Sequence, residues 1–600
     1  MVRHSGATPL YLEDTFLRSV LPGKAGGPRH GITLDRQRPY YDASGPSDLE
    51  RLLATHPLED TGRGTGIISA LKAAELSKYN AVSTAPPQIK PGYVLVIDQL
   101  RDDASIRYGG ADAQRFDTML QAARDEHPQR DILIKGHPAA SASRPGHLGP
   151  DACGPCSVWP LLAQASAVFT VSSQLGFEAI LAGHRPHVFG QPFYAGWGLS
   201  DDRAPLPRRQ RVLSAAQLAL GALALYPIWY DPYRDRLCEI EEVIPQLASR
   251  ARAWREDRQG YVAHGMRLWK RPTIRRVFGS GALSFPRNPI ETAKTTGKPI
   301  LSWAQAVTPE MTKARELALF RVEDGFLRSK GLGAALTPPL SLVRDSTGIY
   351  YDPAQPSDLE ACITRAATRG ASARGKALLA RLQASGLSKY NMGGSVPPIT
   401  PTGKRVVLVV GQVADDASVT LGNAGAVRDL PQLVAAARAA HPDAFLIYKP
   451  HPDVEAGLRP GTTESAQVDA VAEASDPIAC VNAADEIWTL SSLLGFEALI
   501  RGRAVTCAGV PFYAGWGLTE DLAPPAHPVF ARRTARPDLA ALVEAVLIDY
   551  PRYHDPVTNL PCPVEVVLDR LEAGPPNPDP PLRVLSKLQG VLASQSWLWR

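Results

Sequence analysis

The chain has 600 residues, 44% of them hydrophobic and 21% charged, a composition typical of a globular protein with more than one domain. Its formal net charge of +5, from 65 basic and 60 acidic residues, is too small to indicate a nucleic-acid ligand. The sequence has no apolar run near the roughly 20 residues that span a bilayer, no signal-peptide core at its start, and only scattered Cys. We therefore expect a cytoplasmic protein.

An internal repeat covers most of the chain. Matching segments keep the same order, and their offset grows only from 310 at Leu12 to 324 at Cys238. This regularity indicates a duplication with small loop insertions. The paired segments are LEDTFLRS with VEDGFLRS, YYD and LSKYN in both copies, DQLRDDAS with GQVADDAS, KGHP with KPHP, SSQLGFEA with SSLLGFEA, and PFYAGWGL in both copies.

The two copies differ at their starts. The stretch RRVFGSGALSF…KPILSWAQAV, which begins near Arg275, has no partner in the first copy. It predicts a strand, a Gly-rich turn, a helix and a strand, which together open a Rossmann-like unit. We therefore expect the first module to lack its opening βα segment, through either a missed upstream start or decay of the module.

Short Val, Ile and Leu runs alternate with longer Ala-, Leu- and Arg-rich stretches in both copies, which predicts buried parallel strands in βα units. The fold class is therefore α/β, with two tandem modules of two Rossmann-like halves each. The halves should divide near Pro86–Pro91 and Pro397–Pro401. The expected domains are an N-terminal module at 1–246, a helical basic linker at 247–274, a C-terminal module at 275–571, and a Pro-rich linker with an amphipathic tail at 572–600.

Two kinds of acidic cluster recur where α/β proteins build their sites. An acid pair precedes Phe-Leu-Arg-Ser, and taken alone it fits a surface carboxylate paired with the following Arg. A second acid pair follows an apolar strand; one acid can cap the next helix, while the other can act as a carboxylate nucleophile or base. The residues are Glu13, Asp14, Glu323 and Asp324 in the first kind, and Gln99, Asp102, Asp103, Gln412, Asp415 and Asp416 in the second.

Two further clusters are suited to an anion. Lys and His at a strand end can place donors on a phosphate, although a buried structural His also fits. A Ser-Ser pair at a helix start can cap the helix and leave its N–H groups facing an anion; capping alone also explains the serines. The Gly that follows would allow close backbone approach to a phosphate, and the Glu further in could meet ribose hydroxyls. These residues are Lys135, His137, Ser172, Ser173, Gly176 and Glu178, and Lys449, His451, Ser491, Ser492, Gly495 and Glu497.

Cys153-Gly-Pro-Cys156 has the spacing of a redox-active dithiol. Such a site needs a strand before it and a helix after it, to lower a thiol pKa. The preceding PGHLGPDA has a loop composition. We therefore expect a loop without redox chemistry.

The duplicated EDGFLRS, DDAS, K-x-HP, SSxLGFEA and PFYAGWGL motifs, over nearly all of residues 10–570, resemble the KpsC family, the dual-module β-Kdo transferases of bacterial capsule assembly. The HP and SS elements are also similar to those of GT-B sialyltransferases, which use CMP-activated acids. The resemblance implies two GT-B-like modules that take Kdo from CMP-Kdo with retention, through an aspartate adduct. It implies no cofactor and no required metal.

The resemblance places the nucleophile at Asp103 and Asp416, with Asp102 and Asp415 as alternatives. It implies that Glu13 and Glu323 are the acid/base groups and that the Lys, His and Ser residues bind the CMP phosphate. The implied acceptor is a lysophosphatidylglycerol-linked Kdo glycolipid, to which the N-terminal module adds β-(2→4) and the C-terminal module β-(2→7) linkages. The implied partners are capsule assembly proteins at the inner membrane, and no nucleic acid.

The first copy departs from the pattern at Thr15, where the second has Gly325, and at Ala139, where the second has Asp453. We expect the C-terminal module to be competent as written and the N-terminal module to be weak unless upstream sequence is restored. The alternatives are another CMP-sugar transferase of sialyl type, or a non-catalytic polysaccharide-binding or export scaffold. The tail after Pro581 could dock on the cytoplasmic face of the inner membrane or pack against a module.

Overall fold

The fold is described from a computed structural model. It covers residues 9–85, 88–141, 143–332, 337–391, 393–398, 403–422, 425–456, 459 and 467–574. The chain divides into two compact units between Arg255 and Glu256. Most of the linker and tail predicted at 572–600 lies outside the described residues.

The first unit combines short strands with helices of 5 to 18 residues. Its strands are β1 Tyr11–Asp14, β2 Gly31–Asp35, β3 Val94–Ile97, β4 Ile132–Lys135, β5 Ala167–Thr170, β6 His187–Val188, β7 Asp201–Asp202, β8 Pro227–Asp231 and β9 Arg236–Cys238. Its helices are Asp48–Thr55, Thr61–Ala73, Ala104–Tyr108, Ala113–Glu126, Val158–Gln164, Gln174–Ala182, Ala215–Ala219 and Ile240–Asp257, with a 3-10 turn at Gly23–Ala25 and a π-helical turn at Leu220–Leu225.

Two sheets organise this unit. A parallel sheet has the order β4-β3-β5-β6-β7, and its first three strands are those predicted from GYVLVIDQ, RDILIKGHP and AVFTVSS. The other sheet, β1-β2-β8-β9, is antiparallel throughout. The prediction of a Rossmann-like first half is therefore wrong for this unit. The reason is connectivity: β1 and β2 pair as neighbours, and the chain returns after Tyr226 to pair β8 with β2.

The second unit is larger. Its strands are β10 Tyr261–His264, β11 Leu283–Ser284, β12 Ile300–Trp303, β13 Leu319–Asp324, β14 Ser341–Asp345, β15 Val406–Val410, β16 Phe445–Lys449, β17 Ala470–Val471, β18 Glu486–Thr489, β19 Ala504–Cys507, β20 Glu520–Asp521, β21 Pro551–His554 and β22 Pro561–Cys562. Its helices are Arg271–Phe278, Pro289–Thr296, Pro309–Lys313, Asp358–Arg369, Ala373–Ala384, Ala417–Gly422, Leu430–Ala440, Pro452–Glu455, Pro477–Ala483, Leu493–Ile500, Pro528–Arg532, Leu539–Glu544 and Val564–Ala573, with 3-10 turns at Leu268–Lys270 and Ala304–Ala306 and a π-helical turn at Ala545–Asp549.

One sheet of the second unit is parallel, in the order β17-β16-β15-β18-β19-β20, and contains the three strands predicted from RVVLVVGQ, AFLIYKPHP and EIWTLSS. The other has the order β11-β10-β12-β13-β14-β21-β22. Its pairs are parallel from β11 to β13 and antiparallel from β13 to β22. The mixed α/β class is therefore confirmed, with parallel sheets in both units.

The opening of the second unit differs from the prediction. Its first strand is β10, which lies inside the predicted linker 247–274, so that stretch is not a single helical connector. The RRVF segment predicted as a strand instead ends the helix Arg271–Phe278. Ile274, Val277 and Phe278 are buried together because their spacing places them on one face of a helix.

The order of each parallel sheet creates a crevice. From β15 the chain moves to β16 and β17 on one side, and then crosses to β18, β19 and β20 on the other. The point where the direction reverses, between β15 and β18, is where open α/β sheets bind ligands, beyond the carboxyl ends of the strands. In the first unit the same point lies between β3 and β5.

Candidate functional site

A cavity of about 840 Å³ in the second unit gathers the predicted site residues of the second copy. It is lined by the loops that follow β15, β16 and β18, and by residues at the ends of β10, β12 and β13. β15, β16 and β18 are parallel to one another, and so are β10, β12 and β13. The carboxyl ends of each group therefore meet at one edge of its sheet. The lining includes Glu323, Gln412, Asp416, Lys449, His451, Ser491, Ser492 and Glu497.

The two acids of the second DD pair have different surroundings. Asp416 accepts hydrogen bonds from the amide N–H and the hydroxyl of Ser418, both at 2.9 Å and both on Oδ1. No donor in the described part of the chain meets its Oδ2. Asp415 forms an ion pair with Arg459, and its side chain is 64% exposed. The structure therefore separates neighbours that the sequence could not: Asp416 lines the cavity with an unbonded oxygen, whereas Asp415 has a surface partner.

His451 is held as one tautomer. Its Nδ1 accepts the amide N–H of Asp453 at 3.1 Å, so the proton of the neutral ring is on Nε2. Burial lowers the pKa of His451 to about 4, and the charge of Lys389 acts in the same direction. At neutral pH the imidazole can therefore offer Nε2–H to an anion without carrying a charge itself.

Lys449, predicted to bind a phosphate, is already paired. Its ammonium donates to both carboxylate oxygens of Glu455 at 2.9 Å and to the carbonyl of Pro450 at 3.1 Å. The residue is only 2% exposed. Its three N–H bonds match these three acceptors, the two Glu455 oxygens and the Pro450 carbonyl. In this structure the donors of Lys449 hold the end of β16, and its contact with a phosphate stays a prediction.

Gln412 joins the two loops at the crevice. Its Oε1 accepts the amide N–H of Ser491 at 2.8 Å, and its Nε2 donates to the Ser491 hydroxyl at 3.2 Å. Ser492 then caps the helix Leu493–Ile500 by accepting the amide N–H of Leu494 at 3.3 Å. Gln412 therefore positions a helix start whose first residues line the cavity, and the N–H groups at a helix start favour an anion.

Glu497, for which a contact with ribose hydroxyls stays a prediction, accepts the amide N–H of Lys389 on Oε1 at 2.7 Å. Burial raises the pKa of Glu497 to about 7. The bond fixes the second LSKYN loop against the helix Leu493–Ile500. Glu497 therefore has a positioning role in this structure.

Lys389 was not predicted as a site residue, although LSKYN repeats in both copies. It lines the cavity, and its ammonium makes no hydrogen bond within the described residues. Burial opposes its charge, but nearby Tyr390, Asp324 and Asp416 outweigh burial and raise the pKa of Lys389. It is a fixed cation beside Asp416.

Glu323 and Asp324 titrate differently. Arg328 donates from Nε to Asp324 at 2.8 Å. Although burial opposes it, the charges of Arg328 and Lys270 lower the pKa of Asp324 to about 2. Burial, aided by the adjacent Asp324 charge, raises the pKa of Glu323 to about 7. Glu323 can therefore exchange a proton near neutral pH beside a permanent anion, an arrangement that supports acid and base roles.

The PFYAGWGL run supports the Ser-Ser turn. Tyr513 donates its hydroxyl to the carbonyl of Ser492, and a Cβ at Gly495 would overlap that hydroxyl. Tyr194 and Gly176 have the same relation in the first unit. The glycines therefore make room for a tyrosine, and close backbone approach to a phosphate stays a prediction.

The first unit repeats several of these contacts. Asp103 accepts the amide N–H two residues further on at 2.9 Å, whereas Asp102 pairs with Arg144 and is 61% exposed. His137 accepts the amide N–H of Ala139 on Nδ1 at 3.0 Å. Burial lowers the pKa of His137, and Asp103 is close enough to oppose that shift. The acid and the imidazole of the first copy therefore lie near one another as in the second.

Two residues predicted for the donor site of the first unit have partners within the chain. Lys135 donates to Asp151 at 2.6 Å and to the carbonyl of Gly154 at 3.0 Å, so it is paired like Lys449. Burial raises the pKa of Glu178 to about 7, against the hydrogen bond it accepts from the backbone of Lys78. Glu178 therefore holds the first LSKYN loop, and its contact with a ribose stays a prediction.

The remaining predicted residues of the first unit are placed as follows. Gln99 accepts the amide N–H of Ser172 at 2.9 Å and donates to its hydroxyl at 3.1 Å. Ser173 caps the helix that begins at Gln174. Glu13 accepts the Tyr41 hydroxyl at 2.8 Å.

The Cys153 and Cys156 thiols are unsuited to thiolate chemistry. Burial raises the pKa of Cys153 to about 12 and also raises that of Cys156. A reactive dithiol needs a lowered thiol pKa. The pair lies in a loop before the helix Val158–Gln164, as the sequence predicted.

Comparison with known proteins identifies the family. A model of the family described as "Capsule polysaccharide biosynthesis protein" matches residues 67–145, 156–226, 304–391 and 381–553. The chain belongs to this family. It is 38% identical over 587 residues to the capsule polysaccharide modification protein LipA of Neisseria meningitidis serogroup B, a match that covers 91% of this chain and 82% of LipA. The resemblance to capsule-assembly proteins stated from the sequence is therefore confirmed.

Two solved structures from Thermosulfurimonas dismutans KpsC are also similar. The β-Kdo 2,7 transferase is 33% identical, with a TM-score of 0.42, over 52% of this chain and 98% of that chain. The β-Kdo 2,4 transferase is 32% identical, with a TM-score of 0.44, over 52% of this chain and 97% of that chain.

Two features are absent from the described residues. They contain no group of three His, Cys, Asp or Glu side chains that could hold a metal ion. In the same part of the chain, no helix has both the length and the apolar character needed to cross a membrane. The predictions of a metal-independent reaction and of the membrane face stay predictions.

Proposed function

We propose that the chain is a retaining glycosyltransferase of capsule polysaccharide biosynthesis, with two GT-B-like modules that transfer Kdo from CMP-Kdo. The observation that carries this proposal is the cavity of the second unit. There Asp416, a neutral His451, the Ser492 helix start and Glu323 line one space. His451 and the helix start at Ser492 can stabilise a phosphate. Asp416 has an unbonded carboxylate oxygen, and the carboxyl group of Glu323 titrates near pH 7.

The first step forms a covalent adduct. Oδ2 of Asp416 attacks the anomeric carbon of Kdo, the bond from that carbon to the phosphate oxygen breaks, and CMP leaves with the electron pair. His451 Nε2–H and the first N–H groups of the helix Leu493–Ile500 stabilise the charge on the departing phosphate. The hydrogen bonds from Ser418 to Oδ1 fix the direction of the carboxylate.

The second step transfers the sugar. An acceptor hydroxyl attacks the anomeric carbon, its proton passes to Glu323, and the bond to Asp416 breaks. Two inversions at one carbon give net retention. A base with a pKa of about 7 is ionised in a substantial fraction of molecules near neutral pH and is still strong enough to accept a proton.

The finer assignments follow the family resemblance. Asp103, His137 and Glu13 take the corresponding roles in the first module. That module forms β-(2→4) linkages and the second forms β-(2→7) linkages, on a lysophosphatidylglycerol-linked Kdo glycolipid. The protein acts at the cytoplasmic face of the inner membrane with capsule assembly proteins.

The test is a donor comparison with the full chain. With CMP-Kdo and a Kdo-terminated lipid acceptor, we expect CMP release and a longer glycan. With CMP-Kdo alone, intact mass should increase by one Kdo residue for each module that forms an adduct. CMP-sialic acid should give neither result. Turnover of CMP-sialic acid in place of CMP-Kdo would support the sialyl-type alternative, and no CMP release from either donor would support a binding scaffold.

We expect the reaction to depend on pH through Glu323. Because the base form of a carboxyl group with a pKa of about 7 is populated above pH 7, kcat should rise between pH 6 and 8 and then level off. Glu323→Gln should lower kcat by about 10²-fold or more and remove this rise. Measurements in an Asp103→Asn background isolate the second module.

Glu497 provides the matched control, because burial also raises its pKa to about 7 although it binds a backbone N–H. Glu497→Gln should keep the rise of kcat with pH. A Glu323→Gln variant that keeps the rise, or a Glu497→Gln variant that loses it, would contradict the assignment of the base.

A further inference from the structure

The cavity has a second wall that the donor chemistry does not use. It consists of Gly265, Arg267, Trp269, Lys270, Trp303, Gln305 and Ala306. The first four follow β10 and the last three begin at the end of β12. Because β10, β12 and β13 are parallel neighbours, this wall adjoins Glu323 at the end of β13. The wall therefore lies beside the proposed base.

Lys270 is the central charge of this wall. Its Nζ lies 3.2 Å from the centroid of the Trp303 ring and 5.5 Å from that of Trp269. A cation held over an aromatic face is stabilised without using its N–H bonds in hydrogen bonding. Within the described residues the ammonium makes no hydrogen bond and no ion pair below 4 Å. Lys270 is therefore a part-buried cation whose N–H bonds can be donated to a ligand.

The charges around Lys270 leave it without a dedicated partner. The charge of Asp324 acts on it, but neither oxygen bonds to it: Oδ2 accepts from Arg328 at 2.8 Å, and the buried Oδ1 has no hydrogen-bond partner among the described residues. Glu323 also faces it, and burial keeps that group partly protonated near neutral pH. Arg267, on the same wall, is exposed and adds positive charge. The wall is therefore suited to a ligand that brings its own anion.

We propose that this wall binds the acceptor through a sugar carboxylate, with Lys270 as the anion-binding residue and the Trp269 and Trp303 rings as apolar surfaces for the sugar. This inference rests on the proposed function and adds the acceptor's place and chemistry to it. A sugar acid bound here has its hydroxyls next to Glu323, which then removes the proton of the attacking one. Arg267 at the exposed edge favours an acidic residue further along the glycan.

The test compares two acceptors on the full chain in an Asp103→Asn background. One acceptor ends in Kdo, and the other ends in the same sugar with its carboxylate reduced to an alcohol. We expect Lys270→Met to lower kcat/KM for the acid acceptor by roughly 10- to 100-fold, mostly through KM, and to leave the reduced acceptor nearly unchanged. Lys270→Arg keeps the charge and should recover part of the loss.

The matched control is Lys294→Met, which removes a surface lysine that pairs with Glu316 at 3.2 Å outside the cavity lining. It should leave both acceptors unaffected. Formation of the Kdo adduct without acceptor should be the same in Lys270→Met and in the parent. An equal loss with both acceptors, or a rise in donor KM at constant acceptor KM, would overturn the proposal. Absence of the adduct in the parent would instead refute the proposed function.

Discussion

Asp416→Asn is expected to abolish the Kdo adduct of the second module and to lower its turnover by at least about 10³-fold. An amide oxygen is a poor nucleophile, whereas the cap geometry at Ser418 is preserved because an Asn oxygen accepts the same two hydrogen bonds. The fold and the cavity should therefore persist. The measurement is peptide mapping by mass spectrometry after exposure of the full chain to CMP-Kdo.

The duplication supplies an internal control for this result. In Asp416→Asn the adduct on the peptide that contains Asp103 should be unchanged, and in Asp103→Asn the reverse should hold. Asp415→Asn disrupts only an exposed pair with Arg459 and should keep both adducts. If Asp415→Asn removes the adduct while Asp416→Asn retains it, the neighbours have been assigned in the wrong order.

Strands were the most predictable part of the fold. Runs such as VLVI in β3 and VVLVV in β15 are apolar at successive positions because helices cover both faces of a parallel sheet. Such an apolar run predicts a buried strand. The polar residues that follow it lie at the carboxyl edge of the sheet. That is why the second-copy candidates line one cavity.

The opening of the second unit could not be read in the same way. β10 is a four-residue strand whose neighbours in sequence are rich in Arg and Trp, so composition alone suggested a connector. Val277 and Phe278 gave a strand-like apolar pair, but Ile274 completes a helical face with them. The acceptor wall was missed for the same reason, since Trp269 and Lys270 belong to this segment.

Individual side-chain partners were the least predictable feature. Lys449 looked like a phosphate ligand, yet its partner Glu455 is fixed by a short helix that begins after His451. Lys389 was overlooked because nothing in LSKYN marks it. It reaches the cavity because its amide bonds to Glu497, 108 residues further along the chain. The Lys389 contact depends on long-range packing, whereas the Lys449–Glu455 pair joins residues six apart and depends on how the chain turns after β16.

The largest effect on stability is expected for Arg533→Met. Arg533 is 2% exposed, and its guanidinium donates to Glu360 at 3.0 Å and to the carbonyls of Pro511 and Ala514 at 2.7 and 2.8 Å. Its removal leaves a largely buried carboxylate and two carbonyls without this partner, which should cost about 3–5 kcal/mol of unfolding free energy. Urea unfolding of the full chain, followed by tryptophan fluorescence, measures the loss.

The same substitution should also weaken the site. Pro511 and Phe512 line the cavity, and the Pro511 carbonyl is held by Arg533. We therefore expect slower adduct formation at Asp416 in any Arg533→Met protein that remains folded. The neighbouring Arg532 also pairs with Glu360, but its side chain is 25% exposed, so Arg532→Met should cost only about 1 kcal/mol. Equal destabilisation by the two variants would show that the buried guanidinium of Arg533 does not hold Pro511 and Phe512 in place.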